Sequence, residues 1–263
     1  MKSVQENSKI LLLRICAGAV SMFLFIILWY TGTAQAITIN NTYIFYAITN
    51  NKTEIASYGE LQLRMDVSGG TEIGDHDYNK VSFTFYHEGS NQMSITDIYF
   101  YDGVLGINGT NVTSFEGIPE WDAQQKRGVA FSLGATPSEL PGANFFLTSA
   151  SVVYSCDSDS PVAKTGVDPG EKLKITFSLA EGMNITHVIE ALQGWIKDKE
   201  FHQSDLVVGL HVQAFEDDGS VSFLVAGPAG HTTPVPSPSS LLLFSGGLGA
   251  LVLFARKRRW SLW

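Results

Sequence analysis

The chain has 263 residues and a formal net charge of −9. That length suits one or two folded units, and the charge excludes the basic surface a nucleic-acid partner requires. The charge is also uneven. Residues 37–233 carry 10 Lys and Arg against 25 Asp and Glu, a net −15, so the cations concentrate at the two ends. So acidic a body suits solubility outside the cell.

The N-terminus has the three parts of a secretory signal. Lys2, Lys9 and Arg14 are its positive region, Ile15 to Tyr30 is nearly all apolar, and Ala34-Gln35-Ala36 is a small-x-small cleavage site. Cleavage is expected after Ala36, making residues 1–36 a signal peptide; an uncleaved signal anchor is the alternative. Cys16 falls inside this segment, which leaves Cys156 as the one cysteine of the mature chain and rules out an intrachain disulfide there. Cys156 is expected to be a buried thiol at a strand end.

The body, residues 37–226, is patterned as short strands. Ile37 to Ile48 is β-branched and aromatic, with a break at Asn40-Asn41 left open. Tyr58 to Val67 alternates, with Leu61, Leu63, Met65 and Val67 on one face, and Ser68-Gly69-Gly70 predicts a turn. Val81, Phe83 and Phe85 alternate in the same way, and Ile95 to Tyr101 follows as a second run. These two runs predict a hairpin or adjacent antiparallel strands. Val104 to Pro141 is rich in turn residues and is expected to be loop. Phe145 to Tyr154 predicts a strand, Asp157 to Gly170 a polar loop, and Leu173 to Leu179 another strand.

One helix is expected. Thr186 is the candidate N-cap, and Val188, Ala191, Leu192, Trp195 and Ile196 recur at helical spacing. Leu206 to Ala214 and Val221 to Val225, around Asp217-Asp218-Gly219, predict a closing hairpin. The whole is mainly β: an antiparallel β-sandwich, jelly-roll-like, with one short helix.

Motifs for chemistry are sparse. Asp75-His76-Asp77, Asp157-Ser158-Asp159 and Glu216-Asp217-Asp218 fall in expected loops but lack the EF-hand pattern; they are read as solvated turns, with calcium binding as the alternative. The histidines show no metal-ligand spacing, and no Gly-x-Ser-x-Gly elbow occurs. No catalytic residue, metal or cofactor is expected. Trp121, in the loop segment Pro119-Glu120-Trp121, is the candidate contact for a glycan; a core-edge tryptophan is the alternative.

The C-terminus carries the most specific signal. Residues 227–238 form a Gly, Pro, Ser and Thr-rich linker ending in Val235-Pro236-Ser237-Pro238. Alternating prolines favour an extended chain that a protease cleft can grip. Leu241 to Ala255 is uncharged, and as a helix those fifteen residues span roughly 22 Å. Ser239, Ser240 and snorkelling basic side chains extend it to a thin transmembrane helix. Arg256-Lys257-Arg258-Arg259 then acts as a basic stop that keeps this end cytoplasmic. Residues 239–263 are thus a membrane helix with a basic tail.

This arrangement resembles the PEP-CTERM sorting signal of Gram-negative bacteria, in which a Val-Pro-Glu-Pro-like motif precedes a short apolar helix and an arginine-rich cluster. Ser237 stands where the family most often has Glu. Within the body, Thr96-Asp97-Ile98-Tyr99-Phe100, Gly166-Val167-Asp168-Pro169-Gly170-Glu171 and Gly209-Leu210-His211-Val212-Gln213 are similar to blocks that occur in this order in such proteins. The resemblance implies a non-enzymatic exported protein. Its partners would be the inner membrane, transiently, an exosortase-type membrane transpeptidase, and an extracellular polysaccharide. It would be cut near Val235 to Pro238 and delivered to the envelope, the cell surface or the matrix. The alternative is a secreted or membrane-anchored carbohydrate-binding module or glycan hydrolase.

Overall fold

A computed structural model describes residues 38–49, 53–70, 78–90, 93–214 and 219–229. The expected signal segment, the expected sorting tail and the acidic clusters at 75–77 and 216–218 lie outside these residues. Ten strands are present: β1 (Thr38–Ala47), β2 (Leu63–Gly70), β3 (Lys80–His87), β4 (Met93–Asp102), β5 (Val112–Ile118), β6 (Phe131–Leu133), β7 (Tyr154–Ser158), β8 (Lys172–Ser178), β9 (Leu206–Ala214) and β10 (Ser220–Pro228). They form one antiparallel sheet in the order β5-β8-β3-β2-β1-β10-β9-β4-β7-β6.

The sheet folds over on itself. Period-2 alternation turns Met65, Val67, Val81, Phe83, Phe85, Leu173, Ile175 and Phe177 inward from one half, all fully buried. Phe100 of the other half meets them edge to face, 5.0 Å from Phe83 and 5.3 Å from Phe177 between ring centroids. Tyr154 of β7 lies 5.0 Å from Phe177. The two end strands approach each other through Phe115 and Phe131 and through a Glu120–Val129 bridge, so the sheet is nearly closed.

Among the described residues three helices accompany it: α1 (Thr53–Gln62), α2 (Val162–Thr165) and α3 (Ile185–Asp198). Asn184 caps α3 in a reciprocal box with His187, two residues before the expected Thr186. The apolar stripe Ile185, Val188, Ala191, Leu192 and Trp195 is buried, packing α3 on β2, β3, β9 and β10 at one end of the fold. Trp195 Nε1 donates to the Val225 carbonyl at 3.0 Å.

Several expectations are corrected. The strand expected from Tyr58 begins at Leu63, because residues 53–62 are helical. Leu61 and Leu63 merely mimic alternation across the helix–strand junction; Leu61 is 69% exposed and Leu63 is buried. β1 is continuous through Asn40-Asn41, with a bulge instead at Ile44/Phe45, and β2 runs on through Gly69 and Gly70. The Val81 and Ile95 runs are not paired. β3 lies between β2 and β8, β4 between β9 and β7, and the two face each other across the core. The expected loop at Val104 to Pro141 supplies β5 and β6, while Phe145 to Val153 is a short 3-10 turn and loop. The polar loop after Asp157 contains α2.

That long loop also explains why β4 is buried on both faces. Tyr99 Oη donates to the Pro137 carbonyl at 2.8 Å, and Leu140 N donates to Tyr101 Oη at 3.4 Å. The chain from β6 to β7 therefore roofs the outer face of β4.

Candidate binding face

The outward side of β1, β2, β3, β8 and β5 is polar, because alternation that buries every second side chain exposes the ones between. Strand register aligns these outward residues in rows. Asn40, Ser68, Ser82, Thr176 and Ser114 form one row. Thr42, Asp66, Thr84, Lys174 and Glu116 form the next. Arg64, Tyr86, Lys172 and Ile118 form a third. Neighbouring strands hold members of a row about 4.8 Å apart.

Hydrogen bonds orient the rows. Ser82 Oγ and Thr176 Oγ1 are 2.8 Å apart, and Ser114 Oγ donates to Glu116 Oε1 at 2.5 Å. Thr42 Oγ1 donates to Asp66 Oδ1 at 2.6 Å, and Tyr86 Oη donates to the same oxygen at 3.1 Å. Burial and the Asp66 carboxylate push the Tyr86 phenol up to about 12, so it stays a donor. Lys172 lies over the Tyr86 ring, 5.1 Å from its centroid.

The first two rows end in a groove of about 350 Å³. Ser82 and Thr176 lie in its wall with Ser68, Thr113, Ser114 and Gly70, and the charged side chains Lys80, Lys174 and Glu116 join them. Gly70 occupies the outward position after Ser68 on β2 and brings no side chain, which leaves that end open.

A second unusual environment lies beneath the roof of β4. Asp97 and Asp157 are register partners on β4 and β7. Asp97 is 2% exposed; its Oδ2 accepts from Thr96 Oγ1 at 2.9 Å, and its Oδ1 is buried without a donor from the surrounding protein. Burial pushes the Asp97 carboxyl up to about 7, the Thr96 hydroxyl opposing and the Asp157 charge adding to the effect. Burial raises Asp157 as well. Two like charges cannot both ionise cheaply at such a site, so the pair favours holding a proton. The fully buried Cys156 next to it has its thiol pushed up by burial, away from the reactive thiolate.

Of the sequence-derived site residues, Val235, Pro236, Ser237, Pro238, the Arg256–Arg259 cluster, Ala34 and Ala36 lie outside the described residues. Trp121 is partly buried in the β5–β6 connection, which Asp122 N to Arg127 O (2.9 Å) and Val129 N to Pro119 O (2.9 Å) brace. It follows the Ile118 end of β5, whereas the groove is at the Thr113-Ser114 end. His211 is satisfied by Ser222 Oγ at 3.2 Å. Among the described residues, no group of three or more His, Cys, Asp or Glu could hold a metal ion, and no helix is long and apolar enough to cross a membrane.

The groove residues carry no motif. Ser68, Ser82, Lys174 and Thr176 belong to the polar phase of three alternating strands, Thr113, Ser114 and Glu116 fall in a segment without such a signal, and which of them become neighbours depends on strand order. No family model, no curated protein and no solved structure matches the chain.

Proposed function

We propose that this chain is an exported, non-enzymatic protein addressed by a PEP-CTERM-like tail. An exosortase-type transpeptidase of the inner membrane cuts it near Val235 to Pro238 and passes the body to the envelope, the surface or a polysaccharide matrix. The observation that carries this reading is the order of the three tail parts: proline-spaced motif, short uncharged segment, four basic residues.

The geometry of the body is compatible with it. β10 ends beside the middle of β1, where Ala229 N donates to the Thr42 carbonyl at 2.7 Å. From Thr42 back to Thr38 is about 13 Å of strand. The described chain therefore enters and leaves the body at the same end. We also read the nested pairing of β3 with β8 and β4 with β7 as jelly-roll-like.

Intact mass of the protein recovered from cells tests the reading. A species from Ile37 to a residue between Val235 and Pro238 is expected. A species from Ile37 that retains Trp263 would sink the processing step and leave a membrane-anchored β body.

A further inference from the structure

The geometry points to the groove between β2, β3, β8 and β5 as a binding site for a neutral, polyhydroxylated ligand, a short stretch of uncharged glycan chain. Three observations carry this. Five hydroxyls, on Ser68, Ser82, Thr113, Ser114 and Thr176, line one concavity. Thr113 Oγ1 donates to the Thr176 carbonyl at 3.3 Å and Ser114 Oγ to Glu116, so these two offer acceptors to a ligand, while Ser68 and the mutually bonded Ser82–Thr176 pair keep hydrogens to donate; a sugar hydroxyl, which does both, matches the set. The charged groups supply the two extremes: Lys80 and Lys174 donate only, and Glu116 accepts only.

The lining charge is small, Lys80 and Lys174 against Glu116, and the long-range field of the body works against an anion. Lys174 stands opposite Glu116 in strand register, and the surrounding body carries net −15. A polyanion would have to approach against that field. Size agrees as well, since about 350 Å³ is at the lower end of small-ligand sites. The floor is built on paired strands, so the hydroxyls are held in place before a ligand arrives. With no aromatic ring among the lining residues, the single-site affinity is expected to be weak, with a dissociation constant on the order of 1 mM. Repeated binding along a polymer would then supply retention. The inference is independent of how the tail is processed.

The test uses the full-length protein in a detergent without a sugar headgroup. Saturation-transfer NMR is run with hexasaccharides of β-1,4-glucan, β-1,3-glucan, α-1,4-glucan and mannan, and with a polyuronate as the anionic probe. At least one neutral probe is expected to bind. The Ser82→Ala/Thr176→Val double variant, which keeps side-chain shape, should lose about tenfold in affinity. Glu116→Gln should weaken binding while the melting temperature stays unchanged. Trp121→Ala should leave binding intact. Binding to none of the neutral probes, binding to the polyuronate alone, or loss confined to Trp121→Ala would each overturn the assignment. The mass measurement above decides the sorting step separately.

Discussion

Asp97 shows how far its surroundings can reset one side chain. Its carboxyl is held up to about 7 by burial, against an ordinary value of 3.8. Because the folded value is raised, the fold favours the protonated form. The favourable contribution is complete below the ordinary carboxylate range and is lost as pH rises through about 7. Asp97→Asn keeps the shape and brings amide hydrogens that can meet the Asp157 carboxylate. It is expected to stabilise the protein by roughly 2 kcal/mol at alkaline pH and to flatten that limb of the stability profile. Melting temperatures of the two proteins across pH check this; equal slopes between the ordinary carboxylate value of 3.8 and about 7 would contradict it.

His87 has the opposite sign. Burial lowers it to about 4, and its Nε2 lies 2.9 Å from Gln62 Oε1 at the α1–β2 junction. The neutral ring is the one the fold favours, so stability is expected to fall as pH drops from 6.5 towards 4. His87→Gln should remove that acid limb in a pH series of denaturant midpoints.

Among the elements, α3 and α1 are specified differently. α3 carries its own instructions: an N-cap, a capping box and an apolar stripe that is buried apart from the half-buried Ile196. Asn184→Ala removes the acceptor for Thr186 N (3.0 Å) and is expected to cost about 1 kcal/mol, a drop of about 2–4 °C in melting temperature. α1 has little stripe of its own. It is held by contacts made after folding: the Ala47 amide donates to Glu60 Oε1 at 3.0 Å, and Gly59 lets the helix backbone approach the Phe223 ring. A side chain at position 59 would collide with that ring. That dependence on distant partners is why α1 is invisible in local patterning. Strands β5 and β6 are hidden for a related reason. Gly117 packs against the Val129 backbone, a contact that needs closure of the sheet and has no local periodicity.

The molecule as a whole depends on the two halves of one sheet meeting through a small aromatic cluster. Phe100 makes edge-to-face contacts with Phe83, Phe85, Phe177 and Tyr154. Phe100→Ala empties the contact between the halves and is expected to cost about 4 kcal/mol. Urea unfolding would check it, since substitution at an isolated strand position would cost far less. The same folding-over places the entry and exit of the chain at one end and lines up the polar rows that make the groove.

Alternation and helical spacing determined β3, β8, β9, β10 and α3 from the chain alone, as well as the polar phase of β3 and β8. The reason is that burying one face of a strand or helix is a local demand, written into neighbouring residues. The proposed sorting tail is local in the same sense, a linear arrangement of prolines, apolar residues and positive charge. Pairing is not local. Ser82 and Thr176 lie 94 residues apart and become neighbours only because β3 chooses β8 over β4. Asp97 is an ordinary polar residue of a strand until the fold buries it to 2% exposure opposite Asp157. Tertiary structure alone decided which polar faces stay wet, which strands close the sheet and which hydroxyls share a groove, because those outcomes depend on how remote segments divide a single core.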